Sequence, residues 1–209
     1  MRLSQVRGFV AEGDVVGVDW AIADGRNPLI VNLRNWSLPP ALRSGAGPER
    51  IAITDELLSL EAGIAWLRPP SLVIGVHPAP DVDAEAIDDI ITDALAAAGL
   101  ARSSVSLIAT TDLCRNDKAI RRLGKPVRSF EPRRLDAVNV PNPSPTLQPI
   151  VGSSSVCEAA ALLAAGVGGR LLVERRKSPV GTVAIARRRP PADVIIDAGS
   201  KYSTKSGVF

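Results

Sequence analysis

Aromatic residues are scarce in this chain, making up 3% of its 209 residues. The C-terminal half is basic, but Phe130 is its only aromatic before the last few residues. The stacking platforms that single-stranded nucleic acid requires are therefore missing, and nucleic acid is not an expected partner. One His and two Cys (Cys114 and Cys157) fall short of the usual zinc ligand sets and of a disulfide framework. Neither a metal site nor a cofactor is expected. No apolar run approaches the roughly 18 residues of a membrane span. None follows the basic residues of MRLSQVRGFVAEGD either, so no signal peptide is expected. The chain reads as a soluble, cytoplasmic protein without membrane partners.

Aliphatic packing material is abundant, with 45% of residues hydrophobic. That suffices for one large domain or two small ones. The net charge of +3 conceals an uneven distribution. Six acids and no base lie between Asp81 and Asp93, whereas Arg115 to Arg189 holds fifteen Lys or Arg against five Asp or Glu. A basic half attracts polyanions, among them small ligands carrying several carboxylates. A plain solvated surface would have the same composition.

Proline-rich places fall at Pro39-Pro40, Pro69-Pro70 and Pro141 to Pro149. Arg68-Pro69-Pro70 before the apolar stretch Leu72 to Val76 reads as a linker entering a buried strand. Residues 1–70 are thus expected to form a small α/β segment, with strands at Val15 to Val18, Leu29 to Leu33 and Ile51 to Thr54. Residues 71–190 are expected to form the main domain, and 191–209 a disordered tail. In the main domain Ile87, Ile90, Ile91, Ala94, Leu95 and Ala98 have helical spacing after Asp83. Strands are expected at Val105 to Ala109, Pro126 to Phe130, Leu171 to Val173 and Thr182 to Ala186, the last two as a hairpin. Helices are expected at Lys118 to Leu123 and Val156 to Ala165. This alternation predicts an α/β fold: a three-layer α/β/α domain with a mixed sheet.

Several residues have the chemistry of a site. Gly152-Ser153-Ser154-Ser155 runs into a helix N-terminus, where free N–H groups and the helix dipole favour anions. Ser155-Val156-Cys157-Glu158 also fits a capping box, so Glu158 is either a cap or a catalytic or ligand-binding group. His77 follows a buried strand, where open α/β sheets place ligands, and it titrates near neutrality. Thr110-Thr111-Asp112 ends the next strand, and Asp112 is a cap, a hydrogen-bond partner for substrate, or a base. Cys114 has Arg115 beside it but no evident base, and reads as an ordinary thiol. No motif marks a Ser–His–Asp triad.

In order along the chain, these segments resemble the C-terminal domain of the CbiG proteins and CobE, of cobalamin (vitamin B12) biosynthesis. The matching elements begin with Pro69 to Gly75, the acidic helix Asp83 to Ala98, and Ala109, Thr110, Asp112 and Asp117. Leu123 to Pro126, Pro143-Ser144, Val151-Gly152 with Ser155 to Leu162, and Thr182 to Ala186 follow. Gly25 to Arg68 resembles part of the CbiG middle region. Gly75-Val76-His77-Pro78 stands where the family often has Gly-Ile-Gly-Cys. Cys114 and Asp117 replace a family Lys and Glu, and the glycine-rich N-terminal domain of CbiG has no counterpart here.

The resemblance implies a protein that binds a carboxylated corrin-pathway intermediate and assists its conversion or transfer, with other cobalamin-pathway enzymes as further partners. It equally implies a cobalt-precorrin-5A hydrolase, opening a lactone with release of acetaldehyde, alone or with a partner domain. The expected substrate-binding residues are Gly75, His77, Thr110, Asp112, Ser144, Gly152, Ser153, Ser154 and Ser155. The catalytic candidates are His77, Asp112 and Glu158.

Overall fold

The computed structural model describes residues 2–6, 8–32, 34, 36, 42, 44–58, 64–143 and 155–189. Its first sheet has the order β1-β4-β3-β2, formed by β1 (Val10–Gly13), β2 (Leu29–Asn32), β3 (Arg50–Ile53) and β4 (Ile64–Arg68). The segment expected as a strand at Val15 to Val18 is instead the start of α1 (Val15–Ala23). Asp14 decides this: its carboxylate accepts from the Gly17 amide at 3.0 Å, and that cap outweighs the β preference of three valines. Val18 and Ala21 then turn onto the sheet. Leu3, Val6, Val18, Ile51, Ile53, Ala65 and Leu67 form the core beneath it.

The second sheet contains β5 (Leu72–Pro78), β6 (Val105–Thr111), β7 (Val127–Phe130), β8 (Arg170–Ser178) and β9 (Gly181–Arg187), in the order β7-β6-β5-β9-β8. β7, β6 and β5 run parallel, while β9 is antiparallel to both β5 and β8. α2 (Ala84–Ala97) and α3 (Lys118–Arg122) cover one face through Ile87, Ile91, Leu95 and Ile120, against Leu72, Ile74 and Val76. α4 (Pro132–Asp136) and α5 (Cys157–Ala165) cover the other, against Val73, Ala109 and Ala186. This is a three-layer α/β/α arrangement on a mixed sheet. The continuous apolar run of β5 follows from burial on both faces.

The alanines of α5 (Ala159, Ala160, Ala161 and Ala164) let that helix lie close to β5. A Cβ on Gly75 would fall 1.8 Å from the Cys157 carbonyl oxygen, so no side chain fits at that strand position. Gly75, expected to bind substrate, therefore lies beneath α5 and serves its packing.

The Arg68-Pro69-Pro70 segment is a tight joint between the sheets, because Arg68 ends β4 and is itself buried. Arg187, at the end of β9, grips the fully buried Asp55 with two hydrogen bonds of 2.7 and 2.8 Å. The Ser71 hydroxyl donates to the same carboxylate. Arg68 donates to the carbonyls of Thr54 and Glu56 at 3.1 and 2.7 Å, and its guanidinium lies over the Trp66 ring. Backbone bonds from Ala101 to Asp55 and from Leu57 to Gly99 complete the joint.

Candidate functional site

Three parallel strands end on one edge of the second sheet: β5 at His77-Pro78, β6 at Thr110-Thr111 and β7 at Ser129-Phe130. The antiparallel β9 begins there, pairing Thr182 with His77 and Gly181 with Pro78. Gly181 has a φ of +146°, and a Cβ on it would meet the His77 carbonyl oxygen at 2.7 Å, so the hairpin turn closes on this edge only with glycine. The contact of Gly75 with Cys157 brings the N-terminus of α5 to the same edge. Carboxyl ends of parallel strands facing a helix N-terminus are where open α/β sheets accept ligands.

His77 and Cys114 meet here, with Sγ 3.6 Å from Nδ1. Cys114 lies in a short helical turn, Asp112–Cys114, directly after β6. Burial holds the His77 imidazole below its ordinary pKa. Burial, reinforced by the Asp117 carboxylate, pushes the Cys114 thiol up, and a hydrogen bond with Thr110 opposes that rise. The resting pair is consequently neutral thiol beside neutral imidazole. Thr110 is fixed by donating its hydroxyl to the Val76 carbonyl at 2.7 Å. Asp112 does not cap the turn that follows it. Its exposed carboxylate accepts from the Ser129 hydroxyl on the neighbouring strand. The capping role in this stretch belongs to Asp117, which accepts from the amides of Ala119 and Ile120.

Glu158 is fully buried in the first turn of α5, and the capping-box reading of it is wrong. α5 starts at Cys157 with Val156 at its N-cap, one residue later than a box on Ser155 requires, and the Val156 side chain makes no cap bond. Glu158 instead accepts from the Asn142 amide at 3.2 Å and from the Asn142 side chain and Arg175 amide, each at 2.9 Å. The Ser155 hydroxyl lies 3.4 Å from it. The carboxylate thus ties the chain around Asn142 to β8, where the strand pairing shifts register between Val173 and Arg176. None of its bonds goes to His77 or Asp112, whose own partners are Cys114 and Ser129.

Ser144, Gly152, Ser153 and Ser154 lie outside the described residues. Ser155 is buried immediately before α5. Burial raises the Cys157 thiol to about 11, and the charge of nearby Arg175 opposes that rise. Buried Nη1 of Arg175 and buried Oγ1 of Thr111 have no hydrogen-bond partner among the described residues. Thr111 follows Ala109 onto the face that α5 covers. Arg176 and Lys177 continue β8 as exposed cations, with Lys177 paired to Thr182.

Sequence reasoning passed over two of these residues. The imidazole beside Cys114 is 37 positions away and becomes its neighbour only when β5 and β6 pair. Arg175 is one of several arginines in a basic run, and nothing in the sequence separates it from Arg176. Among the described residues, no group of three or more His, Cys, Asp or Glu is placed to hold a metal. No helix among them is long and apolar enough to cross a membrane.

Comparison with known proteins agrees with this architecture. Over 170 residues, or 77% of this chain, it is 24% identical to a cobalt-precorrin-5A hydrolase from Priestia megaterium, and the match spans 45% of that longer protein. The crystal structure of CobE, a protein from the cobalamin (vitamin B12) biosynthetic pathway, superposes with a TM-score of 0.51 at 28% identity. It covers 58% of this chain and 93% of CobE. A cobalamin biosynthesis protein G homologue from Sulfolobus solfataricus covers 88% of this chain and 58% of its own, at 20% identity and a TM-score of 0.46. Residues 72–186, from the start of β5 almost to the end of β9, match the family model for the C-terminus of cobalamin synthesis protein G, and the chain belongs to that family.

Proposed function

We propose that this protein binds a carboxylated corrin-pathway intermediate at the carboxyl edge of β5, β6 and β7 and assists its conversion or transfer. The observation that carries this reading is the buried Nη1 of Arg175, unpartnered among the described residues beside the N-terminus of α5. A desolvated guanidinium N–H with no acceptor is costly, and a carboxylate would satisfy it with a charge-assisted bond. No bond joins Nη1 to Glu158, whose bonds come from Asn142 and from the backbone amide of Arg175. Corrin intermediates carry many acetate and propionate groups, and the exposed Arg176 and Lys177 would attract them further.

Titration with hydrogenobyrinic acid, followed by the ligand's visible spectrum, tests the reading. Binding in the micromolar range that weakens as salt rises is expected. An unchanged spectrum at high protein concentration and low salt would refute it.

A second reading, lactone opening on cobalt-precorrin-5A, is favoured by one observation, the Cys114–His77 contact. The chain spans under half of the hydrolase it resembles, so that activity is proposed for this chain alone or with a partner supplying the rest. Trapping acetaldehyde in an anaerobic assay with cobalt-precorrin-5A distinguishes the two readings. Release above background supports hydrolysis, and its absence with intact binding supports the auxiliary role.

A further inference from the structure

We infer that Cys114 and His77 form a nucleophile–base pair able to accept an acyl group from a strained or activated carboxylic ester, such as a lactone. The inference deepens the second reading above by naming the atoms that would do the chemistry.

Three observations support the pairing. Sγ of Cys114 lies 3.6 Å from Nδ1 of His77, close enough to pass a proton once a carbonyl approaches the sulfur. Both side chains are only partly buried, and both sit at the strand edge where a ligand can arrive. Of the hydroxyls at this edge, Thr110 is engaged with the Val76 carbonyl and Ser129 with Asp112, while that of Thr111 is fully buried. Cys157 offers an internal contrast: it is buried, and that burial raises its thiol to about 11.

The resting neutrality of the pair suits such a step. Neutral imidazole can take the thiol proton as sulfur attacks the carbonyl carbon, in the manner of hydroxyl nucleophiles paired with His. A sulfur–carbon bond forms, the ester carbon–oxygen bond breaks, and imidazolium returns the proton to the departing oxygen. Water then attacks the thioester, with imidazole as base. The carboxylic acid leaves and the thiol is restored. The sum is one ester plus one water giving one acid and one alcohol, with no change of oxidation state.

The test mixes the full chain with p-nitrophenyl acetate and follows nitrophenolate release together with protein mass. The pair predicts a stoichiometric burst, one acetyl group mapping to Cys114, and neither in Cys114→Ala. His77→Gln should slow the burst about 100-fold while its melting temperature shows that the fold is kept. If that variant does not fold, the wild-type burst and its loss in Cys114→Ala decide the matter. No burst, acetylation at Cys157 or lysine instead, or an equal burst in folded His77→Gln would overturn the inference. A wild-type protein that binds corrinoid but gives no burst fails here only. One that acylates Cys114 but binds no corrinoid sinks the binding reading instead.

Discussion

Two arginines show how differently this fold treats buried charge. Arg187, at the joint between the sheets, places two N–H groups on Asp55, and Ser71 bonds the same carboxylate. Arg175, at the carboxyl edge of the second sheet, keeps a buried Nη1 with no acceptor among the described residues. The first arrangement is closed, and removing Asp55 leaves the buried Arg187 with only its bond to Glu56 at 3.0 Å. The second is open on its acceptor side, which is the arrangement a carboxylate-binding site needs before its ligand arrives. The contrast separates a structural cation from a candidate binding cation without reference to sequence position.

The largest effect should come from breaking the closed arrangement. Asp55→Ala strips the buried Arg187 of two of its bonds and leaves it only the half-buried Glu56; losing one member of a buried pair costs about 3–5 kcal/mol. Urea denaturation should show a destabilisation of that order, or no folded protein. A change below about 1 kcal/mol would mean that the joint is far wetter than its burial indicates.

Gly75→Ala ranks next. Its Cβ would meet the Cys157 carbonyl carbon at 2.7 Å as well as the oxygen, and backbone atoms cannot turn aside as a flexible side chain can. Overpacking of this kind costs about 1–3 kcal/mol, and the strain falls on the contact that positions the N-terminus of α5. Both the melting temperature and corrinoid affinity should fall.

Glu158→Gln should be milder than removing the side chain but not silent. The amide nitrogen of Gln cannot accept, so one donor among Asn142 and the Arg175 amide loses its partner, at about 1–3 kcal/mol. A plain capping-box residue would have tolerated the change.

The two regions should also respond to acid in separate windows. His77 resists protonation in the folded protein because of burial, so the unfolded chain binds the proton first as pH falls through 6.5. Stability should decline there, and His77→Gln should flatten that part of the curve. At the joint, the hydrogen bond from Arg34 holds the Glu56 carboxyl below its ordinary 4.5, against the opposing effect of burial. Its stabilisation is present above that pH and is lost as the pH falls below it. Chemical denaturation between pH 8 and pH 3 should therefore show the edge weakening before the joint. A curve that is flat through pH 6 would contradict the burial of His77.

What could be read from the sequence was local. Leu72 to Val76 announced a strand buried on both faces, and Ile87 to Ala98 a helix with one apolar face, because both signals lie within a few residues of each other. The helix at Val15 escaped notice because a single aspartate outweighed a valine-rich run that reads as strand. Ile64–Arg68 drew no expectation of a strand, because the prolines after it made Arg68 read as the start of a linker. At the site, strand-end placement drew attention to His77 and Asp112, and the β5–β6 pairing does bring their neighbourhoods together. The Cys114–His77 and Glu158–Asn142 contacts depend on chain segments 37 and 16 residues apart, and no spacing rule reaches that far. Seeing Arg175 as special required knowing which of its nitrogens lacked a partner.

The measurement that bears most directly on the account is the affinity of Arg175→Gln for hydrogenobyrinic acid, compared with wild type at low salt. The Arg175 bond to Glu158 comes from the backbone, so the substitution should leave the melting temperature within a degree or two. Affinity should fall at least tenfold, as expected when a desolvated charge-assisted bond to a carboxylate is lost. Equal affinities in two equally stable proteins would show that the open guanidinium is not where the ligand's carboxylate binds.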